Sequence, residues 1–187
     1  MENEKRKVIA ILGLPGSGKT EAINYLIKKY GWPRVYFGDV TFDELKMRGL
    51  EINEKNERMV REDLREKHGR LHYATKVIEK IGDIPKDSNV LVESLYDWKE
   101  YLLFKEEFGN DFITVAIYAS PKIRYERLNK RPERPLNPEE AQGRDYAQIE
   151  NIFQAGPIAM ADYTVDNDWD FNSFYEQIDK IIENCKH

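Results

Sequence analysis

A chain of 187 residues, 41% of them apolar and 12% aromatic, is long enough to bury a real core and is not a disordered composition. Its formal net charge of −5, from 29 basic and 34 acidic side chains, argues against a general nucleic-acid binder while allowing a local basic site. A single cysteine, Cys185, excludes an intrachain disulfide and makes a cysteine-based metal site untenable, which fits a reducing compartment.

The polar run at residues 1–7 is followed by five apolar residues, too few for a secretory signal. No stretch is apolar enough to span a membrane, so a cytoplasmic location with no membrane partner is expected. Residues 8–12, Val-Ile-Ala-Ile-Leu, read as a buried strand. The next segment is Gly13-Leu14-Pro15-Gly16-Ser17-Gly18-Lys19-Thr20, and a helical pattern over 20–30 follows, ended by Gly31. A strand, a Gly-rich turn ending in Lys-Thr and then a helix is the phosphate-binding loop in the context that confirms it. Gly13, Pro15, Gly16, Ser17 and Gly18 shape a turn whose N–H groups face one anion, and the helix that follows directs its positive end there. Lys19 is expected to reach the β- and γ-phosphates of ATP, and Thr20 to place its hydroxyl on Mg²⁺.

Residues 34–37 read as a second strand closed by Gly38-Asp39, and 43–48 as a short helix ended by Gly49. Helical stretches follow over 53–67 and 70–81, the second with Leu71, Ala74, Val77, Ile78 and Ile81 along one side. Residues 89–92 are a third strand. A helix over 97–108 opens on Asp97 as its cap and stops at Gly109. A strand over 112–118 leads to Ser120, the expected cap of a helix that starts at Pro121 and runs to about 130. Pro132, Pro135 and Pro138 break the chain before one helix resumes to about 154, and a last strand at 163–165 and helix at 171–184 complete it. Strands alternating with helices imply an α/β fold with a parallel sheet covered on both faces. Ligands in such sheets bind beyond the carboxyl ends of the strands. The helices between the second and third strands, about 40–82, and the Pro- and Arg-rich segment, about 131–142, are placed to cover that edge as an acceptor insert and a lid on one domain.

Several residues suit phosphoryl transfer. Glu93 ends the third strand, where an acid can hold Mg²⁺; Asp97 is the rival, read as a helix cap. Asp39 ends the second strand, where it can take a proton from a hydroxyl or order water around Mg²⁺, or simply cap a turn. Arg124, Arg127 and Arg131 share a helix face, with Arg134 and Arg144 beyond, and at least one is expected to be catalytic, because guanidinium binds phosphate through paired hydrogen bonds. Arg58, Arg61 and Arg65 form a second stripe, where acceptor phosphate competes with pairing to Glu54, Glu57 and Glu62. His68 and His72 lack a third ligand and read as surface or acceptor-site residues, not a metal pair.

The phosphate loop, Gly38-Asp39-Val40, Ala119-Ser120-Pro121-Lys122-x-Arg124-x-x-Arg127-Leu128, Arg144-Asp145 and the run from Ala161 to Asp168 resemble a family of small P-loop proteins common in archaea. That family is similar to dephospho-CoA kinase and to adenylate and other nucleoside monophosphate kinases. The resemblance covers nearly the whole chain. It implies a five-stranded parallel sheet of order 2-3-1-4-5, ATP as donor and Mg²⁺ as cofactor. It also implies adenine near Asn167 and Asp168, lid arginines at Arg127 and Arg144, and an acidic role for Asp39. The chain departs from the pattern after the third strand. Relatives usually carry Asp-Gly and then an arginine, whereas here stand Glu93-Ser94-Leu95-Tyr96, and Trp169 stands where relatives often have glycine.

The expected activity is phosphoryl transfer from ATP to a small nucleotide-like acceptor, most simply a nucleoside or deoxynucleoside monophosphate, by a monomer or homodimer. The competing readings are phosphorylation of a hydroxyl, as in dephospho-CoA kinase, and a nucleotide-dependent ATPase or switch that transfers nothing to a small molecule. The spacing argues against a dinucleotide-binding oxidoreductase, since no third glycine follows where that motif requires one.

Overall fold

The computed structural model describes residues 6–185, so most of the polar N-terminal run considered above lies outside the described residues. Five strands form one parallel sheet of order β2-β3-β1-β4-β5. They are β1 (Val8–Leu12), β2 (Arg34–Tyr36), β3 (Val90–Glu93), β4 (Phe112–Tyr118) and β5 (Tyr163–Asp166). Central β1 pairs with β3 on one side and β4 on the other, and all five of its residues are buried. That is why these strands read as unbroken apolar runs: both faces of the sheet are covered.

Alternation along each strand sorts the core into two halves. Val8, Ala10 and Leu12 of β1, with Val90 and Val92 of β3, face a cluster built from α2 (Gly38–Met47), α3 (Glu54–His68), α4 (His72–Asp83) and α5 (Trp98–Phe108). Ile9, Ile11, Leu91, Ile113, Val115 and Ile117 face α1 (Lys19–Tyr30) and α9 (Phe171–Asn184). The remaining helices are α6 (Pro121–Asn129), α7 (Pro138–Asn151) and the short α8 (Ala155–Ala159).

Caps fix several helix starts. Asp97 accepts from Lys99 N at 2.7 Å while Glu100 reaches back to Asp97 N, and Asn137 and Glu140 make the same reciprocal pair ahead of α7. Two boundaries differ from the sequence expectation. The helix expected at 43–48 begins at Gly38, because Phe37, Val40 and Leu45 fall on one buried face and draw the turn into the helix. The single helix expected from Pro138 to about residue 154 ends at Asn151. Phe153 takes a left-handed conformation (φ 59°), and Pro157, lacking an N–H, cannot continue the ladder of α7. Gly156 then packs under the ring of Trp98, where a Cβ would sit 2.8 Å from a ring carbon.

Candidate functional site

The phosphate loop lies between β1 and α1, beyond the carboxyl end of the central strand. Gly13 has φ 143°, and a Cβ there would lie 2.5 Å from Ile117 O. Each carbonyl from Gly13 to Gly18 is already engaged. Gly13 O accepts from Lys19 Nζ at 2.7 Å and from Gln154 Nε2 at 2.8 Å, and Leu14 O from Lys19 Nζ at 3.1 Å. Pro15 O accepts from Arg124 at 3.1 Å, Gly16 O from Arg127 at 3.5 Å, Ser17 O from Asn167 at 2.7 Å and Gly18 O from Ala22 N at 3.1 Å. With its acceptors tied back, the loop offers donors forward, at the N-terminus of a helix whose cap residue makes no side-chain bond. Ser17 Oγ is buried without a partner, one further unused polar group in the loop. The residues present therefore fit a polyphosphate.

Burial pushes the Lys19 ammonium down to about 8, helped by Arg131, Arg144 and Arg124 and opposed by Glu93. Arg131 and Arg144 are exposed, and Arg144 makes no ion pair with a described residue. Arg124 is different. It is 3% exposed, grips Asp145 with both terminal nitrogens (2.9 and 2.6 Å) and donates to Ala119 O. Its place on the arginine face of α6 gave no sign of this: the structure spends it on holding the loop. Arg127 donates to Asn167 O at 2.8 Å, and the Asp168 carboxylate accepts from Ser120 N at 2.7 Å, which ties the segment after β5 to the loop and to the start of α6.

Glu93 ends β3, accepts from Arg34 at 3.0 Å and acts on Lys19. Thr20 is exposed in the first turn of α1. Asp39 lies in the first turn of α2, not in a strand-closing turn, and is not part of the wall of the neighbouring cavity, although Gly38 is. Among the described residues no group of three or more His, Cys, Asp or Glu side chains is gathered to hold a metal, and the rings of His68 and His72 stack on each other at 4.5 Å. No helix among the described residues is long and apolar enough to cross a membrane.

Beside the loop opens a cavity of about 710 Å³, bounded by α2, α3, α4, the β3–α5 turn and α7. Arg61, Arg65, Arg70, Arg134 and Arg144 reach its wall. Arg61 pairs with Glu57 at 3.3 Å, and Arg65 lies over the Tyr73 ring at 5.5 Å. Arg58 does not reach it. Its Nε is bonded to Glu62 at 2.8 Å on the exposed outer face of α3, because residues three apart on a helix diverge by about 60°. Sequence reasoning missed Arg70 and the tyrosines of the wall, since only the tertiary fold brings them in, and it set Arg134 with the arginines of α6 rather than in this cavity. Arg70 Nε donates to Asp97 Oδ2 at 2.5 Å, so a guanidinium from the α3–α4 turn stands beside the segment that follows β3. Ser94 takes φ 72°, a left-handed conformation that glycine adopts more readily, and its Oγ meets Tyr96 OH at 2.9 Å. The sequence signals for Gln154 and its turn were Gly156-Pro157, and for Glu100 the Asp97-x-x-Glu100 capping pattern.

Sheet order, loop and inserted helices together define a P-loop kinase fold. A family model described as an AAA domain matches residues 9–149. The chain is 32% identical over 181 residues to a UPF0200 protein of Thermococcus onnurineus, covering 94% of this chain and 96% of that one. It is 36% identical over 179 residues to a UPF0200/UPF0201 protein of Archaeoglobus fulgidus, covering 94% of this chain, and spans about half (55%) of that relative's length. The chain therefore belongs to the UPF0200 family of P-loop proteins. Among solved structures it is similar to a shikimate kinase of Bacteroides thetaiotaomicron, with a TM-score of 0.62 at 12% identity over 97% of this chain and 99% of that one. It is also similar to a gluconokinase of Sinorhizobium meliloti, with a TM-score of 0.60 at 15% identity over 95% and 94% of the two chains. At these identities the likeness is one of fold.

Proposed function

We propose that the protein transfers the γ-phosphoryl group of ATP to a nucleoside or deoxynucleoside monophosphate held in the arginine-walled cavity. One observation carries this reading: Arg144 stands where the two sites meet, acting on Lys19 of the phosphate loop and on Tyr96 of the cavity wall. Lys19 and the loop N–H groups would hold the β- and γ-phosphates, and Thr20 and Glu93 would hold Mg²⁺. Arg127 and Arg144 stabilise negative charge in the transition state, and the Asn167-Asp168 segment borders the donor base. Arg61 and Arg65 orient the acceptor phosphate, joined by Arg70. When bound, ATP with Mg²⁺ supplies the phosphoryl group and part of the charge neutralisation. The chain's own contribution is alignment, positive charge and exclusion of water. An acceptor phosphate is already an anion, so no base is required of the cavity wall, and Asp39 would serve by ordering water around Mg²⁺.

The second reading is phosphorylation of a hydroxyl, with Asp39 as base. It draws on the position of Asp39 one residue from the wall and on the small-molecule kinases of the same fold. A pure ATPase or switch leaves the arginine wall without a purpose. The deciding experiment incubates the protein with ATP, Mg²⁺ and a panel of ribo- and deoxyribonucleoside monophosphates plus dephospho-CoA, and follows ADP and phosphorylated product. Nucleoside diphosphate formation, lost in Arg61→Ala and kept in Arg58→Ala, is the expected result. Product from dephospho-CoA alone, or ADP without any product, overturns it.

A further inference from the structure

Gln154 is 1% exposed, and the two ends of its amide fare differently. Nε2 donates to Gly13 O at 2.8 Å, across 141 positions of the chain, whereas Oε1 is buried with no partner among the described residues. The backbone that delivers this side chain is strained, since Phe153 just before it holds φ 59°, a costly conformation for a bulky residue. Asn151 and Ile152 line the acceptor cavity, but Gln154 does not; its amide is committed to the phosphate loop.

An orphaned amide oxygen and a strained neighbour both cost stability. The free protein does not need the bond they secure, because Gly13 O also accepts from Lys19 Nζ at 2.7 Å. A bound nucleotide ends that redundancy. An ammonium has three N–H donors. Lys19 commits two of them, to Gly13 O and, at 3.1 Å, to Leu14 O. Reaching both the β- and γ-phosphates takes two, so at least one carbonyl has to be given up. Each has a second donor in place: Leu14 O accepts from Ser17 N at 3.2 Å, and Gly13 O from Gln154. The bond from Gln154 also fixes a direction. C=O and N–H point opposite ways across a trans peptide, so a Gly13 carbonyl held back toward Gln154 turns the Leu14 N–H forward, to where an anion would lie.

Resting on the donor half of the reading above and not on the acceptor, we propose that Gln154 is a positioning residue for the triphosphate. It takes over Gly13 O when Lys19 turns to the phosphates, and it keeps the first peptide unit of the loop aimed at them. Without it Lys19 is tethered, because leaving Gly13 O would strand a buried carbonyl.

The test is crossed: Gln154→Met in the full wild-type chain and in a Lys19→Met background. Methionine keeps the length and removes the donor together with the orphaned oxygen. In the wild-type background Lys19 still covers Gly13 O, so the melting temperature without nucleotide is expected to stay within about 2 °C. Affinity for ATP with Mg²⁺, measured by calorimetry, is expected to fall about tenfold. In the Lys19→Met background no lysine is left to be released, and Gly13 O loses its last donor in free and bound protein alike. There the same substitution is expected to lower the melting temperature by about 5 °C and to change ATP affinity by less than about threefold. A strut that merely supports the loop would lower the melting temperature equally in both backgrounds. That result overturns the proposal, as does a Gln154→Met chain that fails to fold. Unchanged ATP affinity in Gln154→Met overturns it too, since Lys19 would then give up only Leu14 O. If Lys19→Met binds ATP too weakly to compare, the affinity loss in the wild-type background and the two melting temperatures decide. Absence of ATP binding by the wild type overturns the donor reading itself, a result distinct from binding that is indifferent to Gln154.

Discussion

Lys19 is held as a partly neutral amine by burial and by the arginines around it, and this sets a pH dependence for nucleotide binding. A triphosphate favours the ammonium form, so affinity is full below about pH 8 and falls as pH rises through that value, approaching tenfold per unit. Calorimetry of ATP binding from pH 7 to 9.5, in two buffers of different ionisation enthalpy, should show proton uptake near pH 8. Lys19→Met should remove both uptake and slope, and a flat wild-type profile would refute the assignment. Ser94 carries the opposite kind of cost. A non-glycine residue in the left-handed region is disfavoured by about 1–2 kcal/mol, and the bond from Ser94 Oγ to Tyr96 OH returns part of it. Ser94→Gly should raise stability by up to about 1 kcal/mol in thermal unfolding; a lower melting temperature would mean that the hydroxyl pair outweighs the backbone.

At the scale of elements, the Arg124–Asp145 pair joins α6 to α7 with side chains 4% and 5% exposed. Asp145→Ala strands a buried guanidinium and should cost about 3–5 kcal/mol, a fall of roughly 10 °C in a chain of this size. ATP binding should weaken as well, though Asp145 touches no part of the phosphate loop, because Arg124 also holds Pro15 O. Restored ATP affinity in an Arg124→Met, Asp145→Leu double variant would show that packing alone suffices. The elements themselves were largely legible, because local patterns dictate them. The apolar runs gave β1 and β4, the capping residue gave the start of α5, and periodicity gave α9. Elements set by distant contacts were not. The start of α2 depends on Val40 packing into the core, whereas the break after Asn151 had a local signal in Gly156-Pro157 that the sequence reading passed over. The site divides in the same way. The loop and the cavity-side arginines Arg61 and Arg65 follow from spacing, but that Arg58 faces outward, that Arg124 faces inward and that Arg70 arrives from a turn are facts of tertiary structure.

For the molecule as a whole, the segment between α6 and α7 reaches over the cavity to α3 through Arg134 and Glu54, bonded at 3.1 Å with both side chains exposed. Such a pair contributes at most about 1 kcal/mol and is screened by salt. Glu54→Gln should leave the melting temperature unchanged within about 2 °C while speeding amide exchange several-fold across residues 131–137. Unchanged exchange would show that the prolines alone hold the segment. The edge of this segment is thus lightly latched, but its root is not. Because one guanidinium is clamped to α7 and also props a carbonyl of the phosphate loop, α7 and the loop are not separable parts. A segment covering α6 and α7 taken from another protein of this fold, unless it brought an aspartate to the place of Asp145, would misshape the phosphate loop. The smallest interchangeable module in this architecture is the loop together with α6 and α7; α3 meets the segment between those two helices through an exposed ion pair, which leaves α2 to α4 the part freer to diversify.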